Sequence, residues 1–302
     1  MKAIQFDAFG GPEVLHEVEI DQPVPAAGEV LVQVKRAGVN PLDGKMRAGY
    51  TQAFFPITLP HVPGLELTGV VSAVGEGVTD FAVGDEVFGW GNGTYAEYAI
   101  GTTLMRKPAE LDWDIAVSLP VATETALRVL NLLDVSSGDT LLIHGASGAV
   151  GSIAVQLAVQ RGATVIGTAG AANQEYVATL GATPTHYGDG LVARVRALAP
   201  NGVDAVFDTA GKGALPDSIE LRGGTTDRVV TIADPAAGEL GVTMTSGGEP
   251  TPVAEITEAA ESAERGELTV TVAATYPLAD AAKAQEAVDG GHAGGKVVIV
   301  LD

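Results

Sequence analysis

The sequence predicts an α/β protein with two domains, a β-rich partly closed barrel and a doubly wound parallel sheet. Three observations predict this fold. Short β-prone segments between Gly and Pro residues fill the first third of the chain. The middle alternates strands with helices, and one of its strands runs directly into a glycine-rich turn that opens a helix.

Length and composition are those of a globular protein with room for two cores. The chain has 302 residues, of which 46% are hydrophobic, and domains hold on the order of 100–200 residues. No apolar run reaches the roughly 18 residues of a membrane span, and the first residues lack the pattern of a secretory signal. We therefore expect a cytoplasmic protein that does not bind membranes.

Charge and cysteine content exclude several functions. A net charge of −21 repels nucleic acid, so no nucleic-acid partner is expected. It also repels an anionic ligand at long range, which makes local backbone dipoles necessary for binding one. The chain has no cysteine, which excludes disulfides, thiolate nucleophiles and zinc sites built on cysteine.

The β-rich part is predicted from six segments whose β-branched residues lie between frequent turns. These segments are Lys2–Phe9, Val14–Ile20, Glu29–Ala37, Leu65–Val74, Asp85–Trp90 and Tyr95–Ile100. Short strands with so many turns are typical of a curled sheet or partly closed barrel.

The pattern changes near Leu119-Pro120, where alternation of helices and strands begins. The predicted strands are Thr140–His144, Thr164–Gly167, Thr185–Tyr187, Asp204–Asp208 and Arg228–Ile232. The helices are Val121–Leu133, Ala149–Arg161, Gln174–Leu180 and Leu191–Leu198. Such alternation builds a parallel sheet covered on both faces, because parallel strands need crossover connections.

The end of the chain is expected to return to the first domain. It offers helices Val253–Arg265 and Asp280–Val288 and strands Leu268–Val272 and Lys296–Leu301. The predicted boundaries are 1–120 with 267–302 for the β-rich domain and 121–266 for the parallel-sheet domain.

The most informative stretch is the glycine loop that follows Thr140–His144. Its glycines Gly145, Gly148 and Gly151 suit a tight turn, a close approach to a pyrophosphate and close packing of helix on strand. The following helix offers free N–H groups to phosphates, and Ser147 adds a hydroxyl. The predicted cofactor-binding residues are Gly145, Ala146, Ser147, Gly148, Ala149, Val150 and Gly151.

The end of the second strand indicates which dinucleotide binds. A carboxylate about 20 residues after the loop would hold the ribose 2′-hydroxyl of NAD. Positions 167–174 contain no acid, which favours NADP, and no basic residue either. Neutral groups would therefore bind the 2′-phosphate. The residues predicted to bind this end of the cofactor are Gly167, Thr168, Ala169 and Asn173, together with Gln174 and backbone amides.

Several ordered motifs resemble one protein superfamily over nearly the whole chain. They include 37-AGVNPLDGKMRAGY-50, 63-PGLELTGVVSAVGEGVTDFAVGDEVFG-89, 119-LPVATETAL-127 and 207-FDTAG-211. The chain resembles the medium-chain dehydrogenase/reductase superfamily, in particular its zinc-free quinone oxidoreductase (zeta-crystallin-like) branch. The resemblance implies a GroES-like catalytic barrel and a Rossmann dinucleotide-binding domain.

Zinc-dependent relatives differ at two positions that carry metal ligands. They have a cysteine where Ala37–Asn40 stands and Gly-His-Glu where Gly64-Leu65-Glu66 stands. We therefore predict no metal, and we interpret the nearby His61 as structural.

The resemblance implies hydride transfer from NADPH to a quinone or another conjugated carbonyl acceptor. It implies a cleft lined by Asn40, Asp43, Arg47 and Tyr50. It also implies that further residues contact the cofactor, namely Thr125, Tyr187, Ile232, Ala233 and Lys296.

Without a metal, hydrogen-bond donors must stabilise negative charge on the acceptor oxygen. Tyr50 is the first candidate for this catalytic donor, and Asn40 would orient the substrate or the nicotinamide. A structural role remains open for both. Asp43 and Arg47 lie four residues apart and are expected to form an ion pair. His144 is expected to be a hydrogen-bonded histidine at a strand end.

Two alternatives remain beside a quinone reductase. One is an NADPH-dependent enone, alkenal or enoyl-thioester reductase, and the other is a non-catalytic nucleotide-binding protein with a structural or regulatory role. A homodimer is expected from the resemblance and from β-prone segments near Arg228–Ile232 and Leu240–Thr243, where sheet edges can pair.

Overall fold

The computed structural model describes residues 1–247, 251–291 and 293–301. The chain divides into two compact units. The first comprises residues 1–121, 253–267 and 271–302, and the second comprises 122–252 and 268–270. No helix in the described ranges combines the length and the apolarity needed to cross a bilayer.

The strands are numbered in chain order. They are β1 (Lys2–Gln5), β2 (His16–Glu19), β3 (Val30–Val39), β4 (Glu66–Val74), β5 (Glu86–Asn92), β6 (Tyr98–Arg106), β7 (Thr140–His144), β8 (Thr164–Thr168), β9 (Thr183–Thr185), β10 (Ala205–Asp208), β11 (Val229–Thr231), β12 (Thr243–Met244), β13 (Val272–Pro277) and β14 (Lys296–Val300).

The helices follow the same convention. They are α1 (Pro41–Arg47), α2 (Trp113–Val117), α3 (Pro120–Leu132), α4 (Ala149–Gln160), α5 (Gln174–Thr179), α6 (Leu191–Leu198), α7 (Leu215–Leu221), α8 (Ala237–Leu240), α9 (Val253–Glu264) and α10 (Ala281–Asp289).

The first unit is built on a six-stranded mixed sheet in the order β13-β14-β3-β4-β5-β6. Strand β3 pairs with β4 at one edge and with β6 at the other, so that β3 to β6 close on themselves. Strand β14 adds to β3 in antiparallel register, with Val298 opposite Gly38. The partly closed barrel and the return of the last strand to it are thus confirmed.

The second unit is built on a six-stranded sheet in the order β12-β11-β10-β7-β8-β9. All of its pairings are parallel. The order reverses at β7, which is the first strand of the sheet in the chain and lies between β10 and β8. The predicted doubly wound sheet is therefore confirmed, and its core contains Leu142, Ile166, Val195, Val206, Leu215 and Val229.

Two local predictions near the end of the chain differ from the structure. The strand expected at Leu268–Val272 starts only at Val272, because residues 268–270 pack with the second unit instead. There the Gln156 side chain accepts from the Thr269 N–H at 2.8 Å and donates to the Thr269 carbonyl at 2.9 Å. This pairing uses the backbone that a longer strand would need.

Helix α9 groups with the first unit, whereas the predicted boundary placed it in the parallel-sheet domain. The helix contacts β6, and its Glu264 carboxylate accepts from the Glu110 N–H at 2.8 Å. The domain boundaries as a functional division remain a prediction.

Candidate active site

In the second unit, the glycine loop connects β7 to α4. Gly145 has a φ of +76°, a left-handed value that strains other residues. A Cβ on Gly151 would lie 2.2 Å from the Gly145 carbonyl oxygen, so only glycine allows α4 to pack this closely on the turn. The loop has the tight turn and close helix packing that its glycines predict.

The start of α4 provides the groups that a pyrophosphate needs. The Gly148 and Ser152 N–H groups bond to the Gly145 and Gly148 carbonyls, at 3.0 and 2.9 Å. The N–H groups of Ala149, Val150 and Gly151 precede the first N–H that bonds within the helix, that of Ser152, and point out of the helix end. With the positive end of the helix dipole, they form a cradle that suits the phosphates of a dinucleotide.

Next to the glycine loop, a row of buried polar side chains crosses five neighbouring strands of the parallel sheet. Register pairs His144 with Thr168 and Asp208, Thr168 with Thr185, and Asp208 with Thr231. All five are buried. They occupy the carboxyl ends of their strands, the edge where open α/β sheets bind ligands.

His144 links the glycine loop to its neighbours through one directed chain of hydrogen bonds. Ser218 Oγ donates to the Ala214 carbonyl at 2.7 Å, so it accepts from His144 Nε2–H at 3.0 Å. Thr168 Oγ1 accepts from the Gly145 N–H at 3.3 Å and so donates to His144 Nδ1 at 3.4 Å. Burial lowers the pKa of His144, which favours the neutral ring, although the nearby Asp208 and Asp217 oppose the shift. The predicted hydrogen-bonded strand-end histidine is confirmed.

Asp208 organises the neighbouring loop, and sequence reasoning gave it no role. Its carboxylate accepts from the N–H groups of Ala210 and Gly211, at 3.0 and 3.1 Å, and from Thr231 Oγ1 at 2.7 Å. Ile232 and Ala233 follow the same Thr231, whose hydroxyl accepts from the Ala233 N–H at 3.1 Å. The position of Asp208 at a strand end, in 207-FDTAG-211, was the available signal.

The end of β8 leaves fewer free donors for a 2′-phosphate than the sequence suggested. The Thr168 hydroxyl is buried and bonded as described above. The Ala169 side chain is 3% exposed, and its N–H donates to the Thr185 carbonyl at 3.0 Å. Gln174 Nε2 donates to the Ala169 carbonyl at 2.7 Å and to the carbonyls of Gly170 and Thr185. The Gln174 side-chain amide is therefore bonded within the protein, and its contact with a 2′-phosphate stays a prediction.

Asn173, Gly170 and Tyr187 remain at least partly accessible near the end of β8. Asn173 Nδ2 donates to Ser147 Oγ at 3.3 Å, which joins this edge to the glycine loop. Tyr187 is 59% exposed, and its hydroxyl lies 3.7 Å from the point where a Cβ on Gly170 would stand. Gly167 lies deeper, where a Cβ would meet Ala146 at 2.7 Å.

Thr125 belongs to α3 and is nearly buried. Its hydroxyl lies 3.3 Å from Glu124 Oε2 and 3.5 Å from Arg128 Nη2. Arg128 in turn pairs with Glu124 at 2.7 Å and donates to Thr245 Oγ1 at 2.8 Å. The Thr125 hydroxyl is thus held within a polar cluster on one face of the helix.

In the first unit, the predicted site residues Asn40 and Lys296 form a buried polar cluster with Glu66. Asn40 Nδ2 donates to Glu66 Oε1 at 2.8 Å, and Lys296 Nζ donates to Asn40 Oδ1 at 2.7 Å. Lys296 Nζ also contacts Glu66 Oε1 directly. The ammonium group can only donate and the carboxylate can only accept, so the two together fix the orientation of the Asn40 amide.

Two further features support the Glu66 carboxylate in this position. Its second oxygen accepts from the Val121 N–H at 3.1 Å, at the start of α3, where the helix dipole favours negative charge. A Cβ on Gly38 would lie 2.4 Å from Glu66 Oε1, so glycine at this point of β3 makes room for the side chain.

Asp43 lies beside the cluster in an unusual electrostatic environment. Its Oδ2 accepts from the Asn40 N–H at 2.8 Å and from the Tyr95 hydroxyl at 2.9 Å, while Oδ1 is buried without a hydrogen-bond partner. Burial raises the pKa of Asp43 to about 7, although these hydrogen bonds and the nearby Lys296 oppose the rise.

The expected Asp43–Arg47 ion pair is wrong. Asp43 reaches back to the residue before α1, and Arg47 instead pairs with Asp289 of α10 at 2.9 Å. The guanidinium also contacts Gln285 and donates to the Gly10 carbonyl at 3.2 Å. The tertiary contact with α10 outweighs the weak attraction that four-residue spacing provides on a helix.

Tyr50 follows α1 and is 81% exposed. Its N–H donates to the Lys45 carbonyl at 3.0 Å. Its hydroxyl has no hydrogen bond to any described residue. Tyr50 is therefore an exposed donor, whereas Asn40 is buried and oriented.

The described residues contain no group of three or more His, Asp or Glu side chains placed to hold a metal ion. His61 packs edge-on against Phe6, with ring centroids 5.5 Å apart, and burial lowers its pKa. The Glu66 carboxylate is in contact with the Lys296 ammonium.

With this geometry established, the chain can be compared with known proteins. Residues 26–108 match the family described as alcohol dehydrogenase GroES-like domain, and residues 180–299 match the zinc-binding dehydrogenase family. The quinone oxidoreductase of Sus scrofa is 33% identical over the whole chain and 98% of its own length. The chain belongs to the quinone oxidoreductase family. That family is the predicted branch of the medium-chain dehydrogenase/reductases.

Solved structures agree with membership of the quinone oxidoreductase family. The Escherichia coli quinone oxidoreductase complexed with NADPH superposes with a TM-score of 0.84 at 25% identity, over all of both chains. An NAD-dependent alcohol dehydrogenase superposes with a TM-score of 0.87 at 28% identity, again over all of both chains. Since the fold accommodates both descriptions, the site residues must indicate which chemistry applies.

Proposed function

We propose that this protein reduces quinones, or similar conjugated carbonyl acceptors, with NADPH and without a metal ion. The observation that carries the proposal is the oriented amide of Asn40, held by Glu66 and Lys296 in a buried cluster. The family membership and the glycine loop support the nicotinamide cofactor.

When bound, NADPH would supply the hydride, and one proton would complete the two-electron reduction of a quinone to a hydroquinone. The contribution expected from the protein is electrostatic. Asn40 Oδ1 accepts from Lys296, and one Nδ2 hydrogen is donated to Glu66. The second Nδ2 hydrogen is therefore the donor that remains on the Asn40 side chain. That donor is suited to an acceptor oxygen that gains negative charge. Tyr50 is proposed as an additional, exposed donor.

The same cluster supports independence from zinc. The chain has no cysteine, and the carboxylate of Glu66 is neutralised by Lys296. A zinc ion would have to displace that ammonium and would find no thiolate ligand.

NADPH is proposed over NADH because the edge after β8 has no carboxylate to repel a 2′-phosphate. The donors proposed there are Asn173, the Tyr187 hydroxyl and backbone N–H groups. They are neutral, and charge-assisted hydrogen bonds are roughly twice as strong as neutral ones. The preference for NADPH should therefore be modest.

The proposed function is tested by screening NADPH oxidation against quinones, enones, alkenals and enoyl thioesters, with product analysis. We expect the highest kcat/KM with a quinone. Faster reduction of a C=C bond in an enal or enoyl thioester would assign the alternative reductase function. Tight NADPH binding without turnover of any acceptor would indicate a non-catalytic nucleotide-binding protein.

We also propose a cytoplasmic homodimer. The edge strand β12 (Thr243–Met244) supports a dimer, because its Met244 side chain is about half exposed and its outer edge is not paired with another described strand. Light scattering at micromolar concentration should give twice the mass of the chain, and a monomer mass would contradict this.

A further inference from the structure

Tyr187 stands in a short segment that has little intrinsic rigidity. The segment, residues 186–190, connects β9 to α6 and contains Gly188 and Gly190, with φ of +79° and +76°. Glycines in this conformation allow the chain to turn, but ordering them costs more conformational entropy than ordering other residues. Something else must hold Tyr187 in place.

One side chain binds this whole segment. The guanidinium of Arg194, in α6, donates to the carbonyl groups of four consecutive residues. Nη1 bonds to Asp189 O at 2.7 Å, and Nη2 lies near His186 O at 2.9 Å, Gly188 O at 3.2 Å and Tyr187 O at 3.4 Å. The two terminal nitrogens of the planar guanidinium thus share four backbone acceptors of the segment.

The surroundings of Arg194 indicate that its main role is to bind the carbonyl groups of residues 186–189. The chain has 38 acidic and 17 basic residues, yet no described carboxylate lies within ion-pair distance of Arg194. Its neighbour on the same helix, Arg196, forms an ordinary exposed pair with Glu220 at 2.9 Å. A Cβ on Gly190 would stand 3.1 Å from Arg194 Nη1, so glycine there leaves space for the guanidinium.

We propose that Arg194 is a positioning residue for the adenosine end of the cofactor, because it fixes residues 186–189 and so holds Tyr187 over Gly170. The inference rests on the proposed NADPH-dependent function. From the other side, Gln174 holds the Gly170 carbonyl. The two side chains therefore fix the two elements, the end of β8 and the Tyr187 segment, that border the predicted 2′-phosphate position.

The test compares Arg194→Gln with the control Arg196→Gln, using calorimetric dissociation constants for NADPH. Glutamine cannot bridge four carbonyls, so binding of the cofactor must order the segment. We expect Arg194→Gln to bind NADPH about three- to tenfold more weakly, with kcat at saturating NADPH unchanged. The Arg196→Gln variant should bind like the wild type.

Two readouts separate positioning from other roles. Hydrogen exchange at the amides of residues 187–191 should accelerate in Arg194→Gln and stay unchanged in Arg196→Gln. In a Tyr187→Ala background, Arg194→Gln should add little further loss of affinity, because residues acting through one another are not additive.

Unchanged NADPH affinity in Arg194→Gln, with the wild type binding NADPH, would overturn the inference and leave the proposed function intact. Fully additive losses in the double variant would also overturn it, since Arg194 would then act on the cofactor independently of Tyr187. A wild-type protein that does not bind NADPH would contradict the proposed function itself.

Discussion

At the level of single residues, the proposed preference for NADPH can be tested by placing a carboxylate at one of two neighbouring positions after β8, Ala169 or Gly170. Ala169 is buried, so an aspartate there would bury a charge and test folding more than specificity. Gly170 has φ of −68°, which any residue adopts, and its side-chain direction leads to the Tyr187 hydroxyl at ordinary contact distance. Gly170 is therefore the position to change.

We predict that Gly170→Asp reverses the preference from NADPH to NADH. The carboxylate would repel the 2′-phosphate and accept from the ribose hydroxyls. Dissociation constants for both cofactors in the wild type, Gly170→Asp and the neutral control Gly170→Asn decide the matter. A Gly170→Asp variant that still prefers NADPH would show that the 2′ site lies elsewhere.

A second residue-scale prediction concerns the Asn40 donor. Asn40→Asp keeps the shape of the side chain but removes its N–H groups, so kcat should fall on the order of a hundredfold. The NADPH dissociation constant should change little. The matched control is Asn92→Asp, the same substitution at an exposed strand end, which should leave kcat unchanged. Full activity in Asn40→Asp would remove Asn40 from the mechanism.

At the scale of elements, α1 makes stability depend on pH through Asp43. The carboxyl of Asp43 keeps its proton in the folded state up to about pH 7, whereas in the unfolded chain it loses the proton near 3.8. The folded state binds more protons between these values, so this contribution to stability falls as pH rises from about 4 to about 7.

We therefore predict that Asp43→Asn flattens the pH dependence of the free energy of unfolding in this range. The asparagine can still accept from Asn40 N–H and Tyr95 OH. Urea titrations at several pH values measure the effect, with Asp80→Asn on the exposed surface as control. An unchanged decline in stability between pH 4 and pH 7 would contradict the assignment to Asp43.

Individual elements also show what the sequence could predict. Strand β7 and helix α6 have the predicted ends, because a continuous apolar run before a glycine turn and a run bounded by glycine and proline are local signals. The Asn40–Glu66–Lys296 cluster could not be predicted in this way. Its hydrogen bonds join residues 26, 230 and 256 positions apart. Periodicity and spacing carry no information at such separations.

The bonding of Lys296 could not be predicted from the sequence for the same reason. The family resemblance implies that Lys296 contacts the cofactor, whereas in the structure its ammonium group is bonded to Asn40 and Glu66. Likewise, the neutral stretch after β8 was visible in the sequence. Which of its polar groups are already bonded, as in Thr168 and Gln174, depends on packing against β9 and His144.

At the scale of the whole molecule, the chain combines a net charge of −21 with a site for an anionic cofactor. Long-range repulsion slows association, so affinity must come from short-range contacts at the glycine loop and the end of β8. Screening by salt weakens the repulsion more than these contacts. The acidity suits small neutral acceptors such as quinones and disfavours polyanions.

The proposed activity of this protein is metal-independent reduction of a quinone by NADPH. It is tested most directly by measuring NADPH oxidation with a quinone after exhaustive dialysis against EDTA, with zinc content determined on the same sample. We expect equimolar oxidation of NADPH and formation of hydroquinone, with kcat unchanged by dialysis and zinc far below stoichiometric. Loss of turnover on dialysis that added zinc restores, or NADPH binding without quinone reduction, would contradict it.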